Sequence, residues 1–131
     1  MHKFLKYRVL NQRLAVCRAA PDSLIPSWAQ DADFFCILRT ADELSIVCPE
    51  VCLDPTHPAL QVERGWTALK LEGPFPFSLT GILASFLQPL ADAEIPIFAI
   101  STFDTDYVLV KQHDLLRAQA ALKAAGHELT S

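Results

Sequence analysis

The chain has 131 residues, 51% apolar and 20% charged, with a formal net charge of −4. That is the balance of a globular protein with a real core, in one ordinary domain or two very small ones, and it excludes a disordered chain. It also excludes a sequence-independent hold on nucleic acid, which needs clustered cations, whereas Lys3, Lys6, Arg8, Arg13 and Arg18 are spread like a solvated face.

Lys3–Leu10 and Arg13–Arg18 read as two strands around Asn11-Gln12. A short helix is expected over Ser23–Gln30, limited by Pro26, whose ring does not fit a helix interior. Phe34–Arg39 and Leu44–Cys48 read as strands joined by the polar loop Thr40–Glu43. Glu50–Gly65, with Pro55 and Pro58, is the least regular stretch and reads as a connection, with a short strand at Leu60–Glu63. Trp66–Leu71 is a strand broken by Glu72-Gly73-Pro74. Ser78 is the expected N-cap of the next helix, with Phe77 just outside as a hydrophobic staple. Leu79, Ile82, Leu83, Phe86, Leu87 and Leu90 then share one face, and Pro89 is expected to kink or end the helix. Ile95–Ser101 and Asp106–Lys111 are strands around the turn Thr102–Thr105. A second helix over His113–Ala125 closes at Gly126, before a short last strand.

The second half thus runs strand, helix, strand, strand, helix, strand. That is the ferredoxin-like βαββαβ arrangement of an α+β protein with an antiparallel sheet. A shift of 62 residues lays Ile37–Asp42 on Ala99–Asp104 and Ile46–Cys48 on Val108–Val110. Two such units in tandem are therefore expected. Residues 1–62 would form the N-terminal unit and 63–131 the C-terminal one. All four glycines lie in the second half, so the first unit is the more eroded.

Enzymatic chemistry has little to stand on. His2, His57, His113 and His127 lie in no recognisable nucleophile setting, and Gly73 and Gly81 are isolated rather than part of a phosphate-cradling loop. The chain opens without the apolar run of an export signal, so Cys17, Cys36, Cys48 and Cys52 read as reduced and mostly buried. Cys48 and Cys52 have a zinc-like spacing but no matching second pair. No catalytic residue, metal or cofactor is expected. Leu79–Leu90 falls short of the roughly 20 residues that span a membrane, and residence in the cytoplasm is expected.

A binding role has more support. A helix N-terminus presents N–H groups and partial positive charge to a carboxylate, and the amides around Ser78, Leu79 and Thr80 are the candidates. A plain helix cap explains Ser78 equally well. Asp104 and Asp106 suit an ammonium group, or else bond the turn backbone. Thr102 is a turn former or a ligand hydroxyl, and Phe75, Phe77 and Phe103 are pocket wall or core. Arg39, equivalent to Ser101 in the first half, belongs to a pseudo-site or to the solvated surface.

Two stretches carry a family likeness: Gly73-Pro74-Phe75-Pro76-Phe77-Ser78-Leu79-Thr80-Gly81, and Pro96–Val110 with its Ser101-Thr102-Phe103-Asp104-Thr105-Asp106 centre. Together they resemble the small ACT-domain proteins, in particular the subgroup that shares its C-terminal ACT domain with the cytosolic arginine sensors of animals. The likeness is strong over 66–126 and weak over 1–60. It implies βαββαβ units that pair side by side, within one chain or across a homodimer. It implies an amino acid or similar small ligand between them, with regulation of a protein partner rather than catalysis. The family's ligand-holding elements match Phe77, Ser78, Leu79 and Thr80 before the first helix, and Ser101, Thr102 and Phe103 on the second strand and its turn. Asp104 and Asp106 lie beside them. The alternative is a ligand-free assembly or interaction module; a small hydrolase or transferase stands third.

Overall fold

The computed structural model describes residues 3–54, 56–57 and 60–130; His2, Pro55 and Pro58 lie outside the described residues. The strands are β1 (Lys6–Ala19), β2 (Cys36–Arg39), β3 (Leu44–Pro49), β4 (Gln61–Leu71), β5 (Ile97–Ser101), β6 (Asp106–Lys111) and β7 (Glu128–Leu129). The helices are α1 (Ile82–Asp92) and α2 (Leu115–Ala124).

The chain divides into two compact units. One is Gln12–Trp66; the other joins Met1–Asn11 to Thr67–Ser131. Residues 1–11 thus go with the C-terminal unit, where a division at 62/63 puts them with the N-terminal one. The reason is packing: Leu5 and Tyr7 are buried in the same core as Leu69, Leu71, Phe86, Leu90, Val108, Ala118 and Leu122. The two strands expected around Asn11-Gln12 are one continuous strand, β1. A tight hairpin there would need positive φ, and among the described residues the non-glycine with positive φ is Glu94. The short strand at Leu60–Glu63 and the strand Trp66–Leu71 are likewise one element, β4.

The C-terminal unit has the expected α+β, ferredoxin-like order β4-α1-β5-β6-α2-β7. β5 and β6 pair antiparallel from Ile97↔Val110 to Ser101↔Asp106. The start of β1 enters this sheet as an additional strand: the Glu72 N–H donates to the Lys6 carbonyl at 2.8 Å, and Lys6 and Tyr7 pair in parallel with Glu128 and Leu129.

α1 starts at Ile82, three positions later than the Ser78 cap predicts. The N-cap position is Gly81, held at φ 78°, where a side chain would be strained, and no side chain caps the helix. Ser78 and Thr80 are exposed on the preceding loop, in which the Leu79 N–H donates to the Pro76 carbonyl at 3.0 Å. Ile82, Phe86 and Leu90 carry the buried face, as the periodicity requires.

Pro89 does not end α1, which continues to Asp92. A proline at this position leaves the carbonyl of Ser85 without its helical donor. His127 supplies one: its Nε2 lies 3.0 Å from the Ser85 carbonyl oxygen, while its Nδ1 accepts the Leu5 N–H at 3.1 Å. The second bond makes Nδ1 the acceptor, so the proton sits on Nε2 and is donated to Ser85.

α1 ends in a Schellman turn, with Ile95 N–H to Leu90 C=O at 3.0 Å and Glu94 N–H to Ala91 C=O at 2.9 Å. Its left-handed residue is Glu94, at φ 58°. Glu94→Gly is expected to stabilise the protein by about 0.5–1 kcal/mol, because glycine takes that conformation without strain. A thermal melt showing no gain, or a loss, would count against it. α2 begins at Leu115 rather than His113, after a 3-10 turn over Gln112–Asp114. It ends in the same turn type at the expected Gly126, with His127 N–H to Leu122 C=O at 2.9 Å.

In the N-terminal unit β3 pairs antiparallel with β1 (Leu14↔Pro49 to Ala19↔Leu44) and with β2 (Cys36↔Val47 to Arg39↔Leu44). Its core is Ala15, Cys17, Ala19, Ala29, Leu44, Ile46 and Cys48. The helix expected at Ser23–Gln30 shrinks to a 3-10 turn over Ser27–Gln30, which starts immediately after Pro26. The cysteines are free. A thiol hydrogen bond joins Cys17 to Cys48, holding the Cys17 pKa below its ordinary value and pushing that of Cys48 up. The Cys52 thiol donates to the Asp31 carbonyl at 3.6 Å. Among the described residues no group of three His, Cys, Asp or Glu is placed to hold a metal ion.

The 62-residue echo extends to hydrogen bonding. Arg39↔Leu44 and Cys36↔Val47 correspond to Ser101↔Asp106 and Phe98↔Leu109. In one turn Thr40 N–H donates to Glu43 C=O at 2.9 Å, and Glu43 N–H to Thr40 Oγ1 at 3.2 Å. In the other, Thr102 N–H donates to Thr105 C=O at 2.8 Å, and Thr105 N–H to Thr102 Oγ1 at 3.2 Å.

Candidate ligand-binding site

The loop between β4 and α1 meets the β5–β6 turn within the C-terminal unit. The Phe75 N–H donates to the Asp104 carbonyl at 2.8 Å. Gly73, whose peptide to Pro74 is cis, permits this approach: a Cβ there would lie 2.9 Å from the Asp104 carbonyl oxygen and 3.2 Å from the Thr105 Cβ. Thr105 is buried, and its hydroxyl donates to the Leu71 carbonyl at 2.8 Å, tying the turn to the end of β4.

Between loop and turn lies a pocket of about 220 Å³. Of the residues read from the sequence, Phe77, Leu79, Ser101, Thr102, Phe103, Asp104 and Asp106 line it, whereas Ser78 and Thr80 are not among its walls. The later start of α1 explains the difference, because the helix terminus that reaches the pocket is Ile82. Pro76, Ile82 and Thr105 complete the walls with Phe75. In the sequence Ile82 belongs to the apolar face of the helix, and Pro76 carries no separate signal. Thr105 had one available signal, its position opposite Thr102 in a turn that echoes Thr40–Glu43.

The polar groups of the turn are partly engaged. Thr102 is a turn former, its Oγ1 donating to the Thr105 carbonyl at 3.0 Å. The Ser101 hydroxyl donates to Asp106 Oδ1 and orients that carboxylate on the pocket wall. Phe77 and Phe103 are neither core nor covered wall: they are 76% and 78% exposed, and their rings pack edge to face at 4.7 Å. Arg39, at the equivalent hairpin position of the N-terminal unit, donates to the Pro21 and Ser23 carbonyls and so holds the loop before the 3-10 turn.

The pocket therefore offers two carboxylates, a hydroxyl, the first turn of an 11-residue helix and a pair of exposed rings. Its volume falls below the roughly 300–1,000 Å³ usual for a small-molecule site. The described residues contain no helix long and apolar enough to cross a membrane.

Residues 61–124 match the family described as ACT domain, and a second family, described as an N-terminal domain, matches residues 12–53. The chain is 34% identical over 85 residues to the human protein CASTOR3P, covering 65% of this chain and 47% of that one. It is 29% identical over 90 residues to the cytosolic arginine sensor for mTORC1 subunit 1 of Bos taurus, covering 63% of this chain and 27% of that one. It thus spans about half the length of the first and about a quarter of the second. Among solved structures it is similar to protein Atu0741 of Agobacterium tumefaciens, with 39% identity, a TM-score of 0.90, and coverage of 98% of this chain and 93% of the other.

Proposed function

From the match of residues 61–124 to the ACT-domain family, we propose that this chain is an ACT-domain protein that acts as a regulatory, non-catalytic sensor of an amino acid or related small metabolite. The observation that carries the reading is the meeting of the Gly73–Phe77 loop with the β5–β6 turn around one acidic pocket. Asp104 and Asp106 receive the ammonium group of the ligand, and the first turn of α1 at Ile82 receives its carboxylate. The bovine relative is named for arginine and for the cytosol. Paired carboxylates suit a cationic amino acid, and we place this chain in the cytoplasm.

The pocket's small volume and its exposed Phe77–Phe103 rim support a half-site, closed by a second ACT unit across a homodimer. The shared hairpin register and turn bonding support reading the N-terminal unit as an eroded ACT-like copy in tandem. Ligand would favour the closed arrangement by binding it more tightly, and a regulated protein partner would read the change. The exposed rings also favour a second reading, a ligand-free assembly module, since an oligomer interface alone would cover them.

A thermal-shift scan against the twenty amino acids tests the sensor. Ligand at a hundredfold excess over Kd adds about 2.7 kcal/mol, a shift of several degrees in a domain this size. We expect one or two amino acids to give it, Asp106→Ala to abolish it, and Ser101→Ala, which keeps the carboxylate, to reduce it only in part. The absence of any shift at millimolar ligand, with sedimentation showing a stable dimer, would sink the sensor and favour the assembly module.

A further inference from the structure

The C-terminal unit holds a second, larger cavity that plays no part in the site above. Its volume is about 420 Å³. Gln119 and Lys123 of α2 line it, facing Tyr7, Glu128 and Leu129 of β1 and β7.

Strand register decides which groups it presents. Tyr7 pairs with Leu129 and Lys6 with Glu128, and side chains alternate across a strand. Tyr7 points to the helix side, where its ring packs against Phe86 at 5.3 Å. Leu129 therefore shares that side, while the Glu128 carboxylate points with Lys6 to the other. His127 also lines the cavity, but both its ring nitrogens are engaged, by Leu5 and Ser85. The charge on the helix side of the cavity is that of Lys123, which forms no ion pair among the described residues. Tyr7 is 1% exposed and lines the cavity wall. Burial pushes its pKa up, so it remains a protonated donor at neutral pH. Its place on the cavity wall with the Lys123 ammonium gives a ligand two donors on one side.

We propose that this cavity binds a small apolar carboxylic acid. The carboxylate lies between the Lys123 ammonium and the Tyr7 hydroxyl, the Gln119 amide donates a further hydrogen bond, and the apolar body rests on Leu129. This site is separate from the pocket at the β5–β6 turn and stands whether or not that pocket binds an amino acid.

The test is a titration of the isotope-labelled chain with 4-methylpentanoate, followed by amide NMR, with 4-methylpentanamide as the uncharged control. The acid is expected to give saturable shifts at the amides of residues 119–129, and the amide none. Lys123→Ala is expected to weaken binding about tenfold, and Tyr7→Phe by somewhat less. Lys123 is exposed, so its variant carries the test even if Tyr7→Phe unfolds. The proposal is overturned if millimolar acid gives no saturable shift at 119–129, if shifts are confined to 101–106, or if Lys123→Ala binds as the parent does.

Discussion

His127→Ala is expected to destabilise the protein by about 3–5 kcal/mol and to lower its melting temperature by about 10–20 °C. His127 is 3% exposed and joins two backbone groups that have no reason to meet otherwise, the Leu5 N–H and the Ser85 carbonyl. Each, left unpaired in the interior, costs about 1–3 kcal/mol. The ring also packs against Phe86 at 5.4 Å, so its removal leaves a void as well. Pro89 supplies an internal control. It deprives Ser85 of its helical donor, so Pro89→Ala in the His127→Ala background returns an N–H to that carbonyl. It should recover more stability there than in the parent chain, and a double-mutant cycle by denaturant unfolding measures the difference. Additive effects, or a loss below about 1 kcal/mol for His127→Ala, would show that the histidine is not the substitute donor.

Gly73→Ala is expected to cost about 2–3 kcal/mol and to abolish whatever ligand response the β5–β6 pocket has. The obstacle is steric, since the φ of Gly73 is open to any residue. The new methyl would lie 2.9 Å from the Asp104 carbonyl oxygen, a backbone atom that cannot swing aside. Relief means separating the loop from the turn, at the expense of the Phe75–Asp104 bond and of the Thr105 hydroxyl's bond to Leu71. Thr105→Val, which removes the hydroxyl at nearly constant volume, isolates the smaller part of that loss at about 1 kcal/mol. A Gly73→Ala chain that melts like the parent and still responds to ligand would mean that the contact between loop and turn is not what shapes the pocket.

Local chemistry made much of this legible in advance. β6 runs over the expected residues because alternation and the turn before it agree. The α1 face is the one periodicity names, since Ile82, Phe86 and Leu90 must all be buried together. The point at which α1 starts was not legible, because Ser78 and Gly81 both carry start signals and the backbone angle that decides between them is invisible in sequence. An error of that kind turns the first residues of a helix away from a site, which is why Ser78 and Thr80 were expected in the pocket and Ile82 was not. The continuation of α1 through Pro89 was hidden for a different reason: its substitute donor lies 42 residues further along the chain. The partner of residues 1–11 was hidden likewise, since alternation in β1 shows that a face is buried but not against what. The two sides of the β5–β6 pocket are readable from two short motifs, while Thr105, which fixes one to β4, looks like any polar turn residue.

β1 and β4 each cross from one unit to the other, so Gln12–Trp66 is an insertion in the sequence of the C-terminal unit. No single break in the coding sequence separates them: cutting after residue 62 strands Leu5 and Tyr7 on the wrong fragment. Recombination that joins finished domains end to end cannot cut out the C-terminal unit in one piece without carrying the segment inserted in it. The inserted segment is retained by the course of the chain itself, inherited wherever the unit around it is inherited.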